Sequence, residues 1–267
     1  MTPDNQIMSI DGGELVESKI AAQNHTRPEN FLPQNLQEFA QYWQLNDQQI
    51  QQFSVYGEMI ETRQKTLNLI GNNTLPMIWT RHFHDSAQIL PIMNELAAQS
   101  QPNSSETTAP WLLDLGSGAG FPGLVLGILS GKSVHLVEAN HHKADFLRQF
   151  VAATNLTNIT IHGCKIAALP NLSPQFVSAR ALAPLTELIK LTSGLIIKNR
   201  TFSDSMKKSS QILPIPKTIY LFPKGSSWRL EIENAKRDWK FTYNTVTSKT
   251  ESESAIIIIK EFHRVKR

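Results

Sequence analysis

The residues best suited to chemistry lie in one glycine-rich segment, Trp111 to Leu126, with the sequence WLLDLGSGAGFPGLVL. It opens with an apolar run that predicts a buried strand, and Asp114 stands at the end of that run. Four glycines follow within eight residues, and the apolar residues after them recur as in a buried helix. A strand, a glycine turn and a helix N-terminus allow backbone N–H groups to approach a ligand closely. The segment therefore predicts a nucleotide-type pocket around Gly116, Gly118, Gly120 and Gly123.

Two classes of cofactor compete for this pocket. Gly118-Ala-Gly120-Phe-Pro-Gly123 fits the G-x-G-x-x-G pattern, and Glu138 lies at the distance of the ribose-binding acid of dinucleotide sites, which favours NAD. Asp114 favours S-adenosylmethionine (AdoMet), because a carboxylate beside the turn repels a pyrophosphate but attracts the cationic sulfonium and ammonium groups. The pattern therefore predicts a methyl donor, and Glu138 suits the ribose diol of either cofactor.

The segments after the pocket alternate between strand and helix patterns. This alternation predicts an α/β fold, a Rossmann-like and mostly parallel sheet covered by helices on both faces. A C-terminal antiparallel hairpin is typical of AdoMet-dependent methyltransferase sheets. The predicted strands are 134–137, 159–162, 176–179 and 218–222, the helices are 141–154, 184–197 and 228–237, and the hairpin is 239–246 with 255–262.

The rest of the chain divides into a leader, a cap and the main domain. Residues 1–33 are polar and predict a loosely ordered leader, and 34–100 show a helical pattern that predicts an N-terminal cap. The polar stretch 99–110 predicts a linker, and 110–267 form the expected AdoMet-dependent methyltransferase domain. Residues 198–216 are rich in serine and threonine and predict an insertion loop, with an rRNA-facing arm as the alternative.

The cap contains one polar motif, Arg81-His-Phe-His84-Asp85-Ser. Its two histidines and Asp85 are residue types that bind metals, but histidines two residues apart on a helix point to different faces. With no second cluster to complete a ligand set, we expect no metal. Arg81 and Asp85 have the i, i+4 spacing of a helical ion pair.

The composition restricts the classes of function. There are 26 Lys and Arg against 23 Asp and Glu, a mild excess that permits nucleic-acid binding without demonstrating it. Cys164 is the single cysteine, which excludes an internal disulfide and a thiolate metal cluster. No apolar run has the length of a membrane span, and residues 1–30 lack the apolar core of a signal peptide, so a soluble cytoplasmic protein is expected.

The residues at the end of the predicted strand 176–179, the fourth when the pocket strand is counted as the first, indicate the type of methyl transfer. Methyltransferases that act on exocyclic amines commonly carry Asn/Asp-Pro-Pro-aromatic there, whereas this chain reads Ser178-Ala-Arg180-Ala-Leu-Ala-Pro184, with no cysteine nucleophile following. The chemistry should therefore need no general base and no catalytic side chain. A ring nitrogen such as guanine N7 fits, with catalysis by alignment. Arg180 and Lys224 lie at strand ends and are candidates for a cofactor carboxylate or an RNA phosphate, Lys224 as an RNA contact; either could instead be a surface cation.

Together these motifs resemble the bacterial small-subunit rRNA guanine-N7 methyltransferases of the GidB/RsmG type, over about residues 36–265. The resemblance implies AdoMet as cofactor and methylation of the guanine at position 527 of 16S rRNA in the small ribosomal subunit. It also implies a cytoplasmic enzyme, and we expect a monomer without metal or membrane partners. The motifs that carry the resemblance are Arg81-His-Phe-His-Asp85-Ser, Asp114-Leu-Gly-Ser-Gly-Ala-Gly-Phe-Pro-Gly123, Ser178-Ala-Arg180-Ala and Phe222-Pro-Lys224-Gly225.

The resemblance also implies which residues bind the cofactor. It places contacts at Gly116, Phe121, Arg180 and the pair Ile166-Ala167, in addition to Asp114, Gly118 and Glu138 of the pocket segment. The family usually has glutamate where this chain has Ala167, so weaker AdoMet affinity is one expectation. Two other hypotheses remain open: an NAD-dependent oxidoreductase, and a non-catalytic ribosome- or RNA-binding protein with a degenerate pocket.

Overall fold

The computed structural model describes the backbone of residues 6–11, 14–19, 31–99, 109–206 and 218–265, and the side chains of 31–99, 109–195 and 218–265. Nine strands form one sheet in the order β2-β1-β8-β9-β7-β6-β3-β4-β5. The strands are β1 (Gln6–Asp11), β2 (Glu14–Lys19), β3 (Leu112–Leu115), β4 (Val134–Val137), β5 (Ile159–His162), β6 (Phe176–Ser178), β7 (Ile219–Lys224), β8 (Trp239–Thr247) and β9 (Ala255–Arg264).

Helices cover the sheet and build the cap. The α-helices are α1 (Leu36–Trp43), α2 (Asp47–Leu67), α3 (Asp85–Ala87), α4 (Ile89–Gln99), α5 (Gly123–Ser130), α6 (His141–Ala153), α7 (Leu185–Met206) and α8 (Trp228–Lys236). Two 3-10 helices span Asn72–Met77 and Ile166–Ala168, and a π-helix spans Trp79–His84.

The five strands on one side of the sheet are parallel, and the four strands on the other side are antiparallel. β5, β4, β3, β6 and β7 pair in parallel, whereas β9 pairs antiparallel with both β7 and β8. The prediction of a Rossmann-like α/β sheet with a C-terminal antiparallel hairpin is confirmed. Because the carboxyl ends of parallel strands share one edge, the loops that follow β3, β4, β5 and β6 meet there.

Residues 6–11 and 14–19, which lie within the predicted loosely ordered leader, form two strands. β1 and β2 pair antiparallel from Gln6↔Lys19 to Asp11↔Glu14, and Met8 of β1 pairs with Thr245 of β8. The sequence Asp11-Gly-Gly places two glycines between the last paired residues, a composition typical of hairpin connections. The backbone groups of β8 supply the pairing partner that the sequence pattern did not show.

The cap packs on the main domain through one continuous apolar core. Phe39 of α1, Phe53 of α2 and Phe83 belong to the same buried cluster as Leu112 of β3 and Phe150 of α6. Asn35 and Asn46 cap the first two helices, each accepting a hydrogen bond from the backbone N–H three residues later. The cap is therefore positioned against the pocket rather than standing apart from it.

Helix α7 extends into the segment predicted as an insertion loop. The predicted helix ends at residue 197, but α7 continues to Met206, so the first nine residues of the 198–216 segment are helical. No proline or glycine lies between 198 and 206 to end the helix, which is the physical reason for the error. Residues 207–216 of the predicted loop and 100–108 of the predicted linker lie outside the described residues.

Candidate active site

The glycine turn joins β3 to α5 in a backbone conformation that favours glycine. Gly116, Gly118 and Gly120 have φ angles of +66°, +58° and +105°. A Cβ on Gly120 would lie 2.5 Å from both the Leu124 Cδ1 atom and the Tyr56 hydroxyl oxygen. Tyr56 of α2 donates its hydroxyl proton to the Ala119 carbonyl at 2.6 Å, so the cap contacts the turn directly. The turn is therefore held in shape from both sides.

Asp114 lies beneath this turn and is fully buried. Its Oδ1 accepts a hydrogen bond from the Ser178 hydroxyl at 2.6 Å, and its Oδ2 accepts from the Gly123 N–H at 3.3 Å. Burial raises the pKa of Asp114 to about 6, and these hydrogen bonds limit the increase. Both carboxylate oxygens are therefore engaged by groups of the protein. Asp114 joins β3, β6 and the start of α5, which fixes the turn.

Glu138 stands beside the turn at the end of β4 and is half-buried. Its two carboxylate oxygens accept backbone hydrogen bonds, Oε2 from the Gly118 N–H at 2.8 Å and Oε1 from the Asn140 N–H at 2.7 Å. The structure thus brings Glu138 against the glycine turn, as its position after β4 predicted. An acid at this place is suited to accept hydrogen bonds from a ribose diol.

Arg180 follows β6 and links the sheet edge to the cap. Its guanidinium pairs with Asp85 at 2.9 Å, donates to the Arg81 carbonyl at 3.3 Å and donates to His82 Nδ1 at 2.7 Å. Its Cζ atom lies 5.2 Å from the centre of the Phe121 ring. These contacts exclude the reading of Arg180 as a free surface cation, because 16% of its side chain is exposed.

The predicted ion pair between Arg81 and Asp85 does not form. Asp85 pairs with Arg180, and Arg81 pairs with Glu251 at 3.0 Å, in the loop between β8 and β9. Two partners from distant parts of the chain, Arg180 and Glu251, take the place of this local ion pair. The motif thus connects the cap to two distant parts of the chain.

Phe121 is buried among aromatic side chains of the cap. Its ring stacks on Tyr56, with centroids 5.3 Å apart, and also contacts Phe83 and His82 at 5.3 and 5.1 Å. Sequence reasoning singled out Phe121 but missed His82 and Tyr56 as its neighbours. The signal for His82 was present, because it stands in the polar motif of the cap; Tyr56 has no sequence signal beyond its helical spacing.

Leu182 covers the first glycine of the turn, and it was also missed. A Cβ on Gly116 would lie 2.5 Å from the Leu182 Cδ1 atom, and 37% of Leu182 remains exposed. The preceding residue, Ala181, has a φ of +53°, a conformation that L-residues seldom adopt. The loop after β6 therefore places the partly exposed, apolar side chain of Leu182 directly over Gly116.

Ile166 and Ala167 lie in the short 3-10 helix that follows β5. Ile166 is half-buried against the second apolar cluster, on the α7 side of the sheet, whereas Ala167 is exposed. The structure therefore places the predicted site residues after four neighbouring parallel strands: Gly116 after β3, Glu138 after β4, Ile166-Ala167 after β5 and Arg180 after β6.

Lys224 is buried, which corrects its assignment as a candidate RNA contact. Its Nζ donates to the Ala183 carbonyl at 2.6 Å and pairs with Glu231 at 2.8 Å, and 7% of the side chain is exposed. Glu231 also accepts the Leu185 N–H at 2.8 Å. Lys224 therefore holds the loop after β6 to the start of α7 and α8, and its charge is satisfied within the protein.

The two histidines of the cap motif do not share a site. His82 contacts Arg180 and Thr74, whereas His84 Nδ1 accepts a hydrogen bond from Trp43 Nε1 at 3.1 Å. Within the described part of the chain, no group of three or more metal-binding side chains converges. Over the same residues, no helix has the length and apolarity needed to cross a membrane.

Comparison with known proteins identifies the family. The chain matches the GidB family model, described as rRNA small subunit methyltransferase G, over residues 49–257. The chain belongs to this family. It is similar to the ribosomal RNA small subunit methyltransferase G of Granulibacter bethesdensis, with 34% identity over 80% of this chain and 86% of that protein. The protein of the same name from Zymomonas mobilis is 36% identical over 75% of this chain and 80% of its own length.

The chain is also similar to solved structures. An O-methyltransferase from Bacillus cereus in complex with SAH has a TM-score of 0.48 and 13% identity, covering 84% of this chain and 96% of that chain. A mutant of MtNAS in complex with S-adenosylmethionine has a TM-score of 0.46 and 11% identity, covering 85% and 77%. The sequence resemblance to the GidB type is confirmed by the family match.

Proposed function

We propose that this member of the GidB family transfers a methyl group from AdoMet to N7 of the guanine at position 527 of 16S rRNA, in the small ribosomal subunit. The observation that carries the proposal is the glycine turn after β3, flanked by Glu138 and by Arg180 at neighbouring strand ends. Membership in a family of rRNA methyltransferases favours a methyl donor over NAD for such a turn.

The residues around the turn fit AdoMet. Gly116 carries no side chain, so only the flexible Leu182 side chain that covers it has to move for a ligand to approach this backbone closely. Glu138 is suited to the ribose diol, and Arg180 to the carboxylate of the methionine end. Ile166 and Ala167 would meet the adenine edge, with backbone groups in place of the family's glutamate side chain. Phe121 supports Arg180 from below, and Asp114 acts by holding the turn.

The arrangement suits a reaction that needs alignment rather than proton removal. When bound, AdoMet would supply the electrophilic methyl carbon for the lone pair of guanine N7, which carries no proton to lose. Asp114 is buried beneath the turn and bonded to Ser178, so it is not placed to act as a base. Catalysis then depends on holding the two reactants in line.

The test is methyl transfer from labelled AdoMet to small-subunit particles that lack the modification, mapped by N7-specific strand cleavage. We expect a single labelled guanine at position 527, and loss of labelling in Arg180→Ala. Label on another nucleotide, or none although AdoMet binds, would refute the proposed acceptor. Binding of NADH without binding of AdoMet would instead support the oxidoreductase alternative, and tight particle binding without transfer would support a degenerate pocket.

A further inference from the structure

We propose that His82 is a positioning residue for AdoMet: its neutral imidazole orients the Arg180 guanidinium toward the cofactor's carboxylate, so the cap forms part of the cofactor site. This inference rests on the proposed function. It concerns a histidine that sequence reasoning assigned no role beyond the excluded metal site. Three consecutive hydrogen bonds begin at Arg180, and their direction determines the state of the His82 imidazole.

The hydrogen bonds determine which nitrogen of His82 carries the proton. Arg180 Nη2 lies 2.7 Å from His82 Nδ1, and a guanidinium only donates, so Nδ1 must accept and be unprotonated. The proton is then on Nε2, which lies 2.7 Å from the Thr74 hydroxyl oxygen. Thr74 in turn donates to the Gly71 carbonyl at 2.7 Å. Every donor in this series has an acceptor, so His82 is held in one tautomer and one orientation.

The surroundings keep His82 neutral, as this role requires. Burial lowers the pKa of His82 to about 3, and the positive charges of Arg180 and Arg81 act in the same direction. A protonated imidazole would present N–H groups to the guanidinium and repel it. His82 therefore remains an acceptor for Arg180 throughout the pH range in which the fold is expected to work.

The cap accepts hydrogen bonds from three of the five N–H groups of the Arg180 guanidinium and leaves the other two without a bond to it. A guanidinium has five N–H groups, of which three are directed to the Arg81 carbonyl, Asp85 and His82. The other two, on Nε and Nη2, have no acceptor among the described residues. An arginine binds a carboxylate best through two such N–H groups in parallel. Because the cap holds three, it fixes the direction in which the other two are presented.

Asp85 completes this support because it is itself held in place. Its Oδ1 accepts from the Thr250 hydroxyl at 2.6 Å and from the Gln88 amide at 2.9 Å, which leaves Oδ2 for Arg180. Below the guanidinium lies the Phe121 ring, which His82 also contacts. Arg180 thus has a carboxylate, an imidazole and a ring to define its place.

The test compares His82→Phe with His82→Asn by calorimetric titration of the full chain. Phenylalanine keeps a ring against Phe121 but removes the acceptor, whereas asparagine offers its Oδ1 near the position of Nδ1. We expect His82→Phe to weaken AdoMet binding about tenfold and His82→Asn to restore most of the affinity. 5′-Methylthioadenosine lacks the carboxylate, so its affinity should be the same for both variants and wild type.

Two further variants separate the possible causes. In an Arg180→Ala background, His82→Phe should have no additional effect on AdoMet binding, because its effect passes through Arg180. His135→Ala is the matched control, since His135 is half-buried and bonds to His162 rather than to Arg180. Equal weakening of AdoMet and 5′-methylthioadenosine would show a general structural effect and overturn the inference. Failure of wild type to bind AdoMet would overturn the proposed function instead.

Discussion

Arg180 and Asp85 form an ion pair with 2.9 Å between Nη1 and Oδ2, although 95 residues separate them in the sequence. The pair joins the loop after β6 to the start of α3, directly after the π-helix of the cap. Both side chains are largely buried, with 16% and 20% exposed. This ion pair is therefore one of the contacts that couple the cap to the edge of the sheet at which the cofactor is proposed to bind.

Loss of Asp85 should destabilise the protein. In Asp85→Ala, Arg180 and the Thr250 hydroxyl lose their acceptor in a site with little access to water. We expect a decrease of about 2–4 kcal/mol in the free energy of unfolding, measured by urea denaturation. Glu187→Ala is the control, because Glu187 pairs with Lys190 on the exposed surface of α7. Its effect should stay within about 0.5 kcal/mol, and equal effects of the two changes would contradict the importance of the buried pair.

A methyl group at Gly120 should distort the turn. Gly120→Ala would place a Cβ 2.5 Å from the Tyr56 hydroxyl oxygen, at a residue whose φ is +105°. We expect a loss of about 2 kcal/mol or more and weaker AdoMet binding. Gly194→Ala is the opposite case, since a Cβ there meets nothing within 4 Å in helix α7. This control should be neutral or stabilise the protein by about 0.5–1 kcal/mol, as thermal unfolding would show.

Asp114 should give a pH dependence opposite to that of most carboxyl groups. Burial raises its pKa from 3.8 to about 6, so the folded state binds this proton more tightly than the unfolded state. Its contribution to stability is therefore complete below pH 3.8 and is lost as the pH rises through 6. We expect the stability of wild type relative to Asp114→Asn to fall by about 2 kcal/mol between pH 4 and 7.

The comparison with Asp114→Asn is needed because other groups titrate in this range. Burial lowers the pKa of His82 to about 3 and that of His84 to about 4, which favours folding at higher pH. These contributions are common to wild type and the variant and cancel in the difference. A difference that does not change between pH 4 and 7 would contradict the raised pKa of Asp114.

Replacement of Lys224 should affect stability rather than the salt dependence of RNA binding. Lys224→Met removes the donor to the Ala183 carbonyl and leaves the partly buried Glu231 without its cation. We expect a loss of about 3 kcal/mol, seen as a lower urea midpoint. The slope of log affinity against log salt for small-subunit particles should not change, because a buried ammonium releases no counterion. A decrease of about one in that slope would show that Lys224 contacts a phosphate after all.

Much of the fold was predictable because its signals are local. The apolar run, Asp114 and the four glycines define a strand, a turn and a helix within sixteen consecutive residues. Alternation of strand and helix patterns then requires a parallel sheet, and a parallel sheet brings strand ends to one edge. The positions of Gly116, Glu138 and Arg180 at that edge follow from sequence order alone.

The extension of α7 to Met206 and the strands near the N-terminus were missed for a related reason. A polar segment without a strong periodicity carries little local preference, and its structure is decided by the elements that it meets. β1 pairs with β8, more than 230 residues further along the chain. Such a pairing depends on backbone hydrogen bonds, which are available to almost every sequence and therefore leave little trace in it.

The sequence by itself determined the type of pocket, because close approach of a ligand to the backbone demands glycine at particular places in a short turn. Only the tertiary structure decided what each charged side chain does there. The Asp114 carboxylate lies beneath the glycine turn and accepts a hydrogen bond from its backbone. Lys224 is buried against Glu231. Arg180 is held by His82 and Asp85. These roles depend on which partners packing brings within about 3 Å, the length of a hydrogen bond. Partners so distant along the chain are fixed by the packing of the cap on the sheet, which no local pattern encodes.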